Sequence, residues 1–240
     1  MLHQPARFAR SVGVALSRRA LVLGAAIGLW SLPLDAQQAT VDEGTLIVSR
    51  RGALASRESF RIQHSPESGR LYVATAQIAL GDRRITPSLS ADGQGNALLY
   101  RVEVRQGGQL AERLQASART GRISAVRHTP QGEASKEYVV GGGAVVLDED
   151  VYHQYVLLAL ARRRGPVTVV VPRAGAQQPA TLAERGSESI TVDGQQVAAT
   201  RWSLALPDGP RDFWTDARGR LLKVEIPALG IVAVRDELAR

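Results

Sequence analysis

Asp148-Glu-Asp-Val-Tyr-His-Gln-Tyr-Val-Leu-Leu-Ala-Leu-Ala-Arg-Arg-Arg164 is the segment on which the fold turns. Tyr152, Tyr155, Val156, Ala159 and Leu160 recur at helical spacing and predict a helix over 148–164. Val151, Leu157 and Leu158 spread the apolar stripe over most of the circumference, so this helix has to be covered on several sides. Asp148 and Asp150 are candidate N-caps. Arg162, Arg163 and Arg164 suit the negative end of the dipole, and Gly165-Pro166 stops the helix. Such a rod is roughly 22 Å long, enough to lie across a curved sheet.

On both sides the chain reads as strands. Leu46 and Val48, then Phe60 and Ile62, alternate with polar residues around a turn at Gly52–Ser56. Tyr72, Ala74, Ala76, Ile78 and Leu80 share one phase, and Leu98, Tyr100, Val102 and Val104 alternate with Arg101, Glu103 and Arg105. Beyond the helix, Val167–Val171 is apolar on both faces and reads as a central strand. Asp193-Gly194 is a tight turn into a strand carrying Ala198, Trp202, Leu204 and Leu206 on one face. Turns recur at short intervals up to Arg235. The expectation is a mainly β (α+β) protein: one large curved antiparallel sheet, a half-barrel of about 11–12 strands, wrapped around one apolar helix. Residues 44–240 form its single domain, preceded by a polar spacer at 37–43.

Residues 1–36 have the tripartite form of a cleavable export signal. Arg7, Arg10, Arg18 and Arg19 make a basic start, Ala20–Leu34 is apolar, and Leu34-Asp-Ala36 is a small-residue cleavage site. The cut is expected after Ala36, with Ala39 as the alternative. The competing reading is an uncleaved anchor, for which the apolar run is short. Ser17-Arg18-Arg19-Ala20-Leu21-Val22 resembles the twin-arginine export motif, so the general and the twin-arginine routes both stand open. Either implies a periplasmic or secreted protein that meets the membrane only through its signal.

The formal charge of +7 falls to +4 without the leader, with 26 basic and 22 acidic residues. The basic residues are almost all arginines, dispersed along strands that carry acids too, which argues against nucleic acid. The absence of cysteine excludes disulfides, thiolate metal sites and a lipidated cysteine anchor.

Two motifs carry a resemblance to a known architecture. Leu147-Asp-Glu-Asp-Val-Tyr-His-Gln-Tyr155 is entered from the glycine loop Gly141-Gly-Gly143, and Phe213-Trp-Thr-Asp-Ala-Arg-Gly-Arg-Leu-Leu222 forms a late hairpin, with Arg235 closing an apolar strand. Over roughly residues 44–236 the chain resembles uncharacterised secreted bacterial domains of the LolA/LolB-like half-barrel type. For those domains the resemblance implies no activity. For the lipoprotein carriers LolA and LolB it implies a concave apolar surface that holds acyl chains in water.

No nucleophile elbow, phosphate loop or His-Glu-x-x-His is present. No cofactor or metal and no catalytic residue is expected. Glu149, Asp150 and His153 would form a metal-assisted hydrolase site if they shared a helical face; the plainer reading is that the acids serve the helix N-terminus. The leading expectation is non-catalytic binding of a lipid, lipidated peptide or other hydrophobic ligand in the concavity. Tyr152, Tyr155, Leu158, Trp202 and Trp214 would line that site, or else fill the core as packing residues. The alternative is a structural module with a filled core that docks on another envelope protein.

Overall fold

The computed structural model describes residues 39–65 and 71–238. The expected export signal and its expected cleavage site at Ala36 lie outside the described residues. The first eight strands run as a meander: β1 (Ala39–Arg50), β2 (Ala53–Ser65), β3 (Leu71–Leu80), β4 (Arg83–Ala91), β5 (Ala97–Gln106), β6 (Gln109–Arg119), β7 (Arg122–Thr129) and β8 (Gly132–Val139). A short β9 (Val145–Val146), a 3-10 turn (His153–Tyr155) and α1 (Val156–Leu160) follow. A second meander then comprises β10 (Gly165–Val171), β11 (Ala176–Val192), β12 (Gln195–Leu206), β13 (Gly209–Thr215), β14 (Leu221–Ile226) and β15 (Ile231–Arg235).

All fifteen strands belong to one sheet, in the order β8-β7-β6-β5-β4-β3-β2-β1-β15-β14-β13-β12-β11-β10-β9. The first and last strands pair in the middle, with Leu46 opposite Arg235, and the two ends of the sheet are β8 and β9. Only residues 140–144 separate those ends in sequence. At about 3.5 Å per residue the linker spans roughly 20 Å, so a sheet this wide has to curl until its edges face each other. The seam between them is bridged by side chains: Lys136 Nζ donates to the Gly175 carbonyl at 2.5 Å and Gln177 Nε2 to the Val139 carbonyl at 2.8 Å.

The sheet is mainly β and curved, as expected, but three features differ from the sequence reading. It has fifteen strands rather than 11–12, because Arg83–Ala91 and the two-residue Val145–Val146 also form strands. It is mixed, since β9 runs parallel to β10. β1 also begins at Ala39, inside the segment read as a polar spacer, and Asp42 there is buried.

The larger correction concerns 148–164, which is no long helix. Leu147 N–H still donates to the Val170 carbonyl, extending the parallel pairing. Asp148 is drawn into the core by Arg173 and Tyr100, and Asp150 adopts φ 58°. Helical hydrogen bonding therefore starts only at His153, and Arg162 at φ 50° ends it. Two of the three arginines reach a loop and a strand instead of the helix dipole: Arg163 donates to Asn96 and Arg164 pairs with Glu184. What remains is a short plug, buried at every residue from Val151 to Ala159. Its all-round apolarity reflects a segment enclosed by strands on all sides.

Inside the sheet, one continuous core joins the inward phase of nearly every strand to the plug. Tyr100, Tyr138, Tyr155 and Phe213 are among its largest fully buried side chains. A smaller cluster of Val192, Ala199, Trp214 and Leu222 sits apart, with Val234 and Leu238 packed on it.

Candidate functional site

Four turns and strand ends converge at one end of the barrel: β1 to β2, β10 to β11, β12 to β13 and β14 to β15. They surround a pocket of about 510 Å³. Its apolar lining is Leu147, Val151, Tyr152, Tyr155, Val171, Ile226, Leu229 and Ile231, and its charged lining is Arg50, Asp148, Glu149, Asp150, Asp208 and Arg211. The volume lies in the range of small-molecule sites.

Four of the charged groups pair with one another. Arg50 donates to Asp150 at 3.2 Å, and Arg211 donates to Asp208 at 3.0 Å and to the Tyr155 hydroxyl at 3.2 Å. Nε of Arg211 is buried and has no partner. Burial lowers the affinity of Arg211 for its proton, but Tyr155 and Asp208 outweigh it and hold the guanidinium above its ordinary value. Burial pushes the Tyr155 phenol up, against the pull of Arg211. The wall of the mouth thus holds a neutral phenol bonded to a guanidinium whose buried Nε has no partner, beside apolar side chains.

Behind the mouth, two buried polar networks fix the plug. Glu58, fully buried on β2, accepts the N–H groups of Tyr152 at 2.9 Å and His153 at 3.1 Å, and contacts His153 Nδ1. It caps the 3-10 turn from a distant strand, because the turn has no side-chain cap of its own. His153 stacks on Phe60, with ring centroids 5.8 Å apart. Asp148 accepts from Tyr100 Oη and from Arg173 Nε, both at 2.7 Å, and its N–H donates to Gln154 Oε1 at 2.9 Å. Burial, followed by the Asp148 charge, drives the Tyr100 phenol well above its ordinary range. For Arg173, burial acts downward, but Asp148 and Tyr100 raise it overall.

The structure does not bring the five expected lining residues together. Tyr152 and Tyr155 line the mouth pocket, while Leu158 is fully buried in the plug. Trp202 packs inside, stacked on Phe213 with its Nε1 donating to Thr215. Trp214 lies one position out of phase with Phe213, so it belongs to the separate cluster, with Lys223 4.9 Å and Arg201 5.5 Å from its ring. No open concavity lies over these residues, because the plug fills it. The hydrolase trio is not assembled either: Glu149 is exposed, Asp150 is bound by Arg50, and His153 is enclosed against Glu58. Among the described residues no group of three His, Asp or Glu side chains is placed to hold a metal ion.

The residues that sequence reasoning missed carry a common signal, a charge on the apolar phase of a strand. Glu58 is in phase with Phe60 and Ile62, and Arg211 with Phe213; Arg235, which the sequence marks only as the close of an apolar strand, is in phase with Ile231 and Ala233.

The family model of DUF6134, a domain of unknown function, matches residues 102–235, from within β5 to the last residue of β15. The chain belongs to the DUF6134 family. That match takes in the plug, three of the four mouth turns and the closing strand of this DUF6134 domain. A comparison with curated proteins gives no match. Among solved structures, a beta-barrel-like protein of domain of unknown function DUF1849 from Brucella abortus is similar, at 11% identity and a TM-score of 0.48, over 80% of this chain and 94% of its own. Among the described residues, no helix is long and apolar enough to cross a membrane.

Proposed function

We propose that this DUF6134 protein is an exported, non-catalytic binding protein of the cell envelope that takes the apolar part of an amphipathic ligand at the barrel mouth. One observation carries the reading: a pocket of about 510 Å³ whose floor is aliphatic and aromatic and whose wall holds a partly satisfied Arg211. The filled interior moves the site outward from the concavity expected from sequence. A lipid or lipidated peptide would lay its chain on Val171, Ile226 and Leu229 and set a polar group against Arg211. The tripartite leader supports export, and the resemblance to the half-barrel lipoprotein carriers favours a lipid-like ligand.

The test is native mass spectrometry of the mature protein from its host periplasm, followed by titration of a fluorescent fatty acid. Leu229 is 47% exposed, so Leu229→Asp leaves the core intact. A retained lipid-sized mass is expected, with fatty-acid affinity about tenfold weaker in the variant, the effect of losing one partly buried leucine. A bare monomer that binds no acyl probe would end the proposal. It would favour the second reading, a structural docking module, which the fully packed interior already supports.

A further inference from the structure

At the seam, β7, β8 and the turn from β10 to β11 enclose a second pocket of about 210 Å³. Arg127, Ser135, Lys136, Tyr138 and Arg173 contribute its polar lining. Two of these side chains hold buried polar atoms without a partner, Nη2 of Arg173 and the hydroxyl of Tyr138. The residues are 6% and 2% exposed. A buried donor left unpaired costs about 1–3 kcal/mol, so two on one cavity call for an acceptor that comes from outside.

The charge balance points the same way. Arg173 is matched by Asp148 and Arg127 by Glu112. Lys136 pairs with no carboxylate among the described residues. Its Nζ donates to the Gly175 carbonyl and lies 5.7 Å from the centroid of the Tyr138 ring. An ammonium has three N–H donors, and this contact uses one. Once Glu112 and Asp148, which lie outside the lining, are set against Arg127 and Arg173, one of its three cations remains unmatched, and both of its unpartnered atoms can donate. Burial also raises the Tyr138 phenol, which keeps its proton available.

We propose that the seam pocket binds a phosphate group, free or as the head of a larger molecule, through Lys136, Tyr138 and Arg173. A tetrahedral oxyanion offers oxygens in several directions at once, which suits an ammonium, a phenol and a guanidinium brought in by two different elements. The volume admits one such group with water. Binding would tie β8 to the turn beyond β10 across the gap that the sheet ladder leaves unpaired.

The test is calorimetric titration of the mature protein with inorganic phosphate, glycerol 3-phosphate and acetate at constant ionic strength, using wild type, Lys136→Met and Tyr138→Phe. Neither substituted residue lines the mouth pocket, so the outcome is independent of acyl binding there. Each variant removes one donor group, the ammonium or the phenol hydroxyl, at little change in volume, and a thermal melt checks that it is folded. Phosphate is expected to bind the wild type and to bind each variant about tenfold more weakly, the loss of one charge-assisted hydrogen bond. Equal binding of glycerol 3-phosphate would identify the head of a larger molecule, and binding of inorganic phosphate alone would identify the free ion. No phosphate heat up to about 10 mM, a very weak affinity, would overturn the proposal. So would folded variants that bind like the wild type, or acetate binding as tightly as phosphate.

Discussion

Glu58 shows how one buried carboxylate can govern a segment far away in sequence. It receives two backbone N–H groups and the His153 ring, and no water reaches it. Replacing it with leucine would leave both N–H donors buried and unpaired. Glu58→Leu is expected to destabilise the protein by about 3–5 kcal/mol, and Glu58→Gln by less, because an amide oxygen still accepts. Thermal melts of the two variants check the order; equal loss would mean that Glu58 is not the cap. Arg235 presents a second case. It donates to Asp42 and to the carbonyls of Leu221 and Glu43, joining the last strand to the first. Gly44 leaves the room for it, since a Cβ there would collide with the Arg235 guanidinium. Gly44→Ala is therefore expected to cost about 1–3 kcal/mol through overpacking, read as a lower midpoint in urea with an unchanged slope. These pairs were hidden in the sequence because Asp42 and Arg235 lie 193 positions apart. Only the phase of each charge within its strand gave them away.

At the scale of elements, the strands were legible and the helix was over-read, for one physical reason. A strand with a wet face alternates, and β5 does so from Leu99 to Arg105; at its start a register shift turns Leu98 outward, out of the phase that the sequence suggests. A segment enclosed on all sides carries apolar residues at every position, so it fits the helical period without being a helix throughout. Three polar contacts, Asp148 to Arg173, Asp148 to Tyr100 and Glu58 to the turn, took the backbone of 148–152 out of helical geometry. The candidate site suffered likewise. The sequence places Tyr152 and Tyr155 on one helical stripe facing a cleft, whereas in the structure both border a mouth built by four turns. Leu158, fully buried, should behave as a core residue. Leu158→Ala is expected to cost about 2–5 kcal/mol while leaving phosphate titration at the seam unchanged, as a melt and a titration of the same sample would show. The linker that carries the chain across the seam is equally constrained. Gly143 has φ 108°, and a Cβ there would meet Asn96 at 2.6 Å, so the glycine is needed both for its backbone and for its size.

At the scale of the whole molecule, the topology dictates what can titrate. A sheet whose first and last strands pair in the middle and whose ends meet at a seam keeps water out of its interior, and most of the chain's tyrosines are inside. Burial raises Tyr100, Tyr138, Tyr152 and Tyr155, four of the five tyrosines in the chain. The sign follows from linkage. Below the unfolded tyrosine value of about 10, both states are protonated and these groups add no pH dependence. Above it, the unfolded chain sheds protons that the native state keeps, so stability falls with rising pH. The slope reaches about 1.4 kcal/mol per pH unit for each tyrosine that ionises only on unfolding. Alkaline titration followed by phenolate absorbance and by far-ultraviolet circular dichroism tests this. Most of the phenolate signal is expected to appear together with the loss of strand signal, in one transition well above pH 10. Ionisation of Tyr152 and Tyr155 while the strands persist would show that the plug opens to solvent without unfolding the sheet. In that case the interior would be available to a ligand after all, and the binding site would extend inward from the mouth.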